Sequence, residues 1–159
     1  MNLSSLLLWG FVATVVLTGI QSASQGMGFS RMSIPFMVGT MFTADRSRAM
    51  GLGFLAHFLN GWIFASVYAL VFQSLGRANW WLGALGGLAH GLFVLLVLMP
   101  LLPGIHPRMA SEQHGPTPTR LLQPPGFMAL HYGRRTPMVV LAAHLVYGVI
   151  LGAFYQLAV

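Results

Sequence analysis

Three histidines sit inside long apolar stretches of the chain: His57, His90 and His144. An imidazole in such surroundings demands a partner, because an unpaired polar group in an apolar medium costs roughly 2–7 kcal/mol. Two of the three share a setting. Ala56-His57-Phe58-Leu59-Asn60-Gly61 is followed by Tyr68 eleven residues after its histidine, and Ala143-His144-Leu145-Val146-Tyr147-Gly148 by Tyr155 at the same distance. Both read A-H-x-x-x-G-x-x-x-x-x-x-Y. At about 100° per residue, offsets of four, seven and eleven return to one helix face. His57, Gly61, Phe64 and Tyr68 therefore form one stripe, and His144, Gly148, Leu151 and Tyr155 another. The third histidine lies in Ala89-His90-Gly91, with Gly83, Gly86 and Gly87 on its own face. The recurrence looks like an internal duplication of helix pairs.

Several chemistries suit such histidines. In helix packing, glycines let backbones approach while each imidazole hydrogen-bonds a Thr, Tyr, Asn or backbone carbonyl of a neighbour. The packing set would then comprise Gly61, Gly87, Gly148, Tyr68, Tyr155, Thr14 and Thr18. Alternatively His57 and His144, at one depth, would hold the iron of haem b from both sides. Three imidazoles would also suit copper or zinc. A proton-conducting or pH-sensing role, for which imidazole titrates in the right range, and a small-molecule site complete the set. Other chemistries find no residues. There is no HExxH, no Ser nucleophile elbow and no phosphate-cradling loop with Lys, and the absence of Cys removes thiolate sites and disulfides. Asp45 and Glu112 are the only acids and read as solvated loop charges, so an intramembrane hydrolase or a carboxylate-coupled transporter has little to work with. His106, His114 and His131 are irregularly spaced in a polar stretch and read as solvent-exposed.

The elements that must position these residues follow from composition and run length. Of 159 residues, 56% are hydrophobic and 6% charged, against about 25% charged in a soluble domain. Lipid must therefore cover the surface. The net charge of +6 comes from arginines placed between the apolar runs, which is the pattern of topology-setting loop charges and not of a nucleic-acid face. The runs predict four transmembrane spans in a single all-α domain, at about residues 3–20, 49–74, 80–102 and 137–157. No Lys or Arg precedes the first run, so it reads as a retained helix in preference to a signal peptide. Ile34–Phe42 is too short to cross, and Pro35 suits the first turn of a short interfacial or re-entrant helix. Leu75–Asn79 is a tight connection that makes spans two and three antiparallel neighbours. Residues 103–136 form a Pro-rich loop. Gly10, Thr14, Thr18 and Gln21 make a polar stripe on the first helix, expected to face inward with the histidines. Counted from the arginine-rich end of each span, His57, His144 and His90 lie roughly 12, 11 and 17 Å deep.

Orientation follows from the arginines. Arg31, Arg46, Arg48, Arg108, Arg120, Arg134 and Arg135 fall after spans one and three, with Arg77 alone on the other side. The positive-inside rule places both chain ends outside and the Pro-rich loop in the cytoplasm. His144-Leu145-Val146-Tyr147-Gly148-Val149-Ile150-Leu151-Gly152-Ala153-Phe154-Tyr155, with the stretches around His57 and His90, resembles uncharacterised families of small bacterial inner-membrane proteins with four spans. The resemblance implies the architecture only, and no activity. The expectation is therefore a four-helix membrane bundle, non-enzymatic, homo-oligomeric or an accessory subunit of a larger membrane complex. A haem- or metal-binding protein using His57, His90 and His144, or a small oligomeric transporter or channel, stands as the alternative.

Overall fold

A computed structural model describes residues 1–158 except residue 112, so the reading of Glu112 as a solvated charge lies outside the described residues. Helix α1 spans Leu3–Gly26, α2 Ile34–Gly39, α3 Arg46–Ser74 and α4 Trp80–Phe93. A π turn at Val94–Leu98 joins α4 to α5, Met99–Ile105, and α6 spans Thr136–Phe154 after a 3-10 turn at Phe127–Tyr132. The described residues contain isolated β-bridges and no strand. Four helical runs are long and apolar enough to cross a membrane: α1, α3, the continuous run Trp80–Ile105, and α6. The bundle is all-α.

Most starts follow from local chemistry. Asn2, Ser33, Asp45 and Asn79 each accept a hydrogen bond from the backbone N–H three residues on, the N-cap arrangement. Pro35 sits in the first turn of α2, as its fixed φ favours. Asp45 is thus a helix cap, accepting from Arg48 N at 2.7 Å, and more than a solvated charge. Three boundaries differ from expectation. α1 continues past Ile20 to Gly26, because its polar last turn bonds within the protein: Ser24 donates to Gln21 O at 2.7 Å and Gln25 to Met32 O. The third run passes through Pro100 and Pro103 to Ile105. Pro100 cannot donate and crowds the preceding carbonyls, and the π turn just before it widens the helix there. α6 stops at Phe154, with Tyr155 already extended at ψ 128°.

The helices form a ring in the order α3, α1, α6, α4. The α4–α6 seam is the tightest. A methyl group added at Gly83 or Gly148 would fall on the other's carbonyl oxygen, one at Gly87 on His144 O, and one at Gly152 on Asn79 O. The two backbones thus meet directly through Gly83 and Gly87 on one helix and Gly148 and Gly152 on the other, the small-residue contact by which membrane helices associate. Gly61 of α3 lies against Thr14 of α1, and Gly39 and Gly53 let α2 press on the start of α3. Across the last seam, between α3 and α4, the backbones stand apart. The expected antiparallel neighbours touch there through side chains, with Phe64 stacked on His90 at 3.9 Å between centroids. The tight Leu75–Asn79 connection fixes direction and proximity at one end only. The outer face is studded with exposed Leu7, Leu8, Leu55, Leu59, Ile63 and Leu85, the surface lipid would cover.

At one end of the ring lie both chain ends: Asn2 N donates to Tyr155 Oη at 3.1 Å and Gln73 Nε2 to Ala158 O at 3.2 Å. The other end carries α2 and the Pro-rich loop. There Ser30 and Thr136 share a hydrogen bond of 2.9 Å, and Arg31 N donates to Tyr132 O at 2.7 Å. One loop histidine departs from expectation. His106 is 1% exposed. Its Nε2 donates to Met37 O at 2.9 Å and its Nδ1 accepts from Arg108 N at 3.0 Å, so a neutral ring latches the loop onto α2. Arg108 adds a bond from Nη1 to Thr40 O at 2.7 Å. Sequence spacing could not reveal this, since the partners lie in a distant segment.

Burial holds His106 below its ordinary value of 6.5; its bond to Met37 O opposes this, and the Arg108 and Arg120 charges add to the lowering. A proton on Nδ1 would face the Arg108 N–H. A folded value below the unfolded one means that the unfolded chain binds the proton first. The latch's contribution is therefore complete above about pH 6.5 and declines as pH falls below it. Hydrogen exchange of residues 106–110 should accelerate on passing from pH 7.5 to 5.5, after correction for intrinsic rates, and His106→Gln should flatten that dependence. An unchanged protection ratio would exclude the latch as the titrating element.

Candidate functional site

The sequence places the three histidines in one layer of the bundle, and the structure brings all three to one cavity. This space of about 250 Å³ is lined by His57, His90 and His144 together with Gln21, Asn60 and Tyr147. Apolar side chains from α2, the π turn and α5 complete the wall, among them Met37, Val94, Leu98 and Leu102. The geometry has local causes. The paired stripes on α3 and α6 run in the same direction on opposite sides of the ring, so His57 and His144 arrive at one level. The π turn swings the chain after His90 away from the glycine seam, so that Val94 and Leu98 both reach the cavity.

Polar bonding around the space is incomplete. His144 Nδ1 lies 2.8 Å from Val140 O, and since a carbonyl only accepts, Nδ1 carries the proton and Nε2 keeps its lone pair. Tyr147 donates to Gly61 O at 2.6 Å, tying α6 to α3 across the ring. Thr14 donates to Gly10 O and Thr18 to Thr14 O, both at 2.7 Å and both within α1. Gln21 Oε1, His57 Nε2 and His90 Nδ1 are buried without a hydrogen-bond partner among the described residues. The expected cross-helix bonding of each histidine is therefore not what forms: one bonds its own helix, and two keep a buried nitrogen without a partner. The aromatic contacts instead place His90 against Phe64 and, edge-on, against the His144 ring at 4.6 Å and the Tyr147 ring at 5.8 Å.

Gly61, Gly87 and Gly148 sit at helix contacts, and Thr14, Thr18, Tyr68 and Tyr155 are buried. The polar stripe Gly10, Thr14, Thr18 and Gln21 faces inward, as expected. Tyr147 was the residue that spacing left out. It lies three positions after His144 on the same face, and a search for polar groups at i+3 as well as i+4 would have found it.

Among the described residues, no three His, Asp or Glu side chains are grouped so as to hold an ion. His90 turns its ring into an aromatic sandwich, and the expected copper or zinc triad does not form. No arginine lines the cavity to meet the propionates of a haem. Beyond the cavity, Leu6, Tyr68, Phe72, Tyr147, Leu151 and Tyr155 pack into a closed layer.

No known protein family, curated protein or solved structure matches this chain.

Proposed function

We propose that this chain is a non-enzymatic integral protein of the bacterial inner membrane whose bundle holds a small uncharged molecule in the histidine-lined cavity. The observation that carries the reading is the set of polar side chains lining one otherwise apolar space, His57, His90, His144, Gln21 and Asn60, three of which also hold a buried atom without a partner among the described residues: Gln21 Oε1, His57 Nε2 and His90 Nδ1. Orphaned polar groups in an apolar interior are costly unless something bonds them. The lining supports an uncharged occupant, because among the described residues it contains neither a carboxylate nor an arginine or lysine. The arginine distribution favours an orientation with both ends outside and with α2, the latch and the Pro-rich loop on the cytoplasmic side. The exposed apolar faces suit service in an oligomer or as an accessory subunit of a membrane complex.

The test is chemical extraction of protein purified from its native membranes, followed by mass spectrometry. A near-stoichiometric small molecule is expected, and Val94→Trp, which fills the cavity from the π turn, should lose it. Absence of any such molecule, together with a Val94→Trp variant as stable as the parent, would reject the reading.

A further inference from the structure

We propose that the occupant is a lipid-soluble hydroxyl compound of the phenol class, and that it reaches the cavity sideways from the bilayer between α3 and α4. This rests on the cavity being a binding site and names what binds there and how it arrives.

The hydroxyl follows from the bonding roles of the lining. His144 spends its proton on Val140 O, so the neutral ring offers the cavity an acceptor only. The hydroxyl protons of Tyr147 and Thr14 are committed to Gly61 O and Gly10 O. The His57 and His90 rings, which also line the space and bond no other side chain or backbone group among the described residues, take either role according to tautomer. A ligand that only accepts, such as a ketone, leaves His144 Nε2 unmet. A hydroxyl donates to one imidazole and accepts from another. A charged group would enter a low-dielectric space without a counter-ion, and its desolvation would go uncompensated. Size sets the class: a cavity of about 150 Å³ holds benzene, so the 250 Å³ here admits one substituted ring.

The route follows from the open seam. A second space, a groove of about 280 Å³, lies between α3 and α4 and is lined by Val67, Tyr68, Val71 and Ala89 along with Phe64 and His90. Val67 and Val71 are 50% and 48% exposed, so the groove opens on the lipid-facing surface. Phe64 and His90 line both spaces, which makes their stacked pair the shared wall. A change of the Phe64 rotamer joins groove and cavity, and an alkyl substituent would then lie in the groove with the ring inside. Tyr68 Oη, buried and unpaired, stands beside that path.

The experiment uses the full chain in phosphatidylcholine nanodiscs, with 4-nonylphenol and its methyl ether as probes. Calorimetry should show the phenol binding at least tenfold more tightly than the ether. Ala89→Trp, at an exposed position on the groove rim, should slow phenol association at least tenfold, and Phe64→Ala should speed it at least threefold. Equal affinity for phenol and ether overturns the hydroxyl assignment, and unchanged association in both variants overturns the lateral route. If neither probe binds while a native molecule still co-purifies, the phenol inference fails and the cavity reading stands. If nothing binds or co-purifies, both fail.

Discussion

Gly148→Leu should prevent assembly of the bundle, leaving little monodisperse protein after detergent extraction, whereas Gly51→Ala should leave yield unchanged and raise stability slightly. At Gly148 even a methyl group would meet Gly83 O and Gly87 Cα, both backbone atoms, so no side-chain rearrangement makes room. The helices must separate, and the damage should exceed the about 1–3 kcal/mol typical of core overpacking. Separation also pulls His144 O from Gly87 and shifts His144 itself, so the cavity is lost with the seam. Gly148→Ala gives the graded case, with a loss of about 2 kcal/mol or more. Gly51 has no atom within 4 Å of an added Cβ, and replacing glycine by alanine in a helix contributes roughly 0.5–1 kcal/mol. Denaturation monitored by tryptophan fluorescence checks all three. A Gly148→Leu protein as stable as the parent would show that the α4–α6 seam is looser than described.

Gly53→Leu should undock α2 and leave the four-helix ring standing. A side chain at Gly53 would run into Pro35 O, and one at Gly39 into Ala49 O, so α2 cannot remain on α3 once either glycine gains bulk. The ring does not depend on α2, because its seams are made by α1, α3, α4 and α6. The expected result is fast hydrogen exchange over residues 34–42 and around His106, which bonds Met37 O and Thr40 Oγ1, with slow exchange kept in α1 and α6. Because Ile34, Met37, Val38 and Met41 also line the cavity, the variant should release any occupant while remaining folded. Cooperative loss of protection throughout would show instead that α2 is integral to the bundle.

Four spanning helices, the short helix after the first, and the inward stripes of α1, α3 and α6 are all written in the chain. Each depends only on local quantities: run length, the 100° periodicity, and Pro or Asn at a helix start. Even the common depth of the histidines follows, because rise per residue converts sequence position into height along a helix. What local periodicity cannot carry is which helices touch. Only the folded structure decides that α6, and not the adjacent α3, receives the glycine face of α4, a choice made by the match of Gly83 and Gly87 with Gly148 and Gly152. That choice leaves the α3–α4 seam open and puts Phe64 on His90. The π turn, which builds one wall of the cavity, and the burial of His106 against α2 likewise arise from contacts between segments far apart in the chain. The sequence thus determined that three imidazoles share a layer in an apolar bundle. Tertiary packing decided that they surround one space, because the close glycine contacts set the helix spacing and the aromatic rings then fixed where His90 turned.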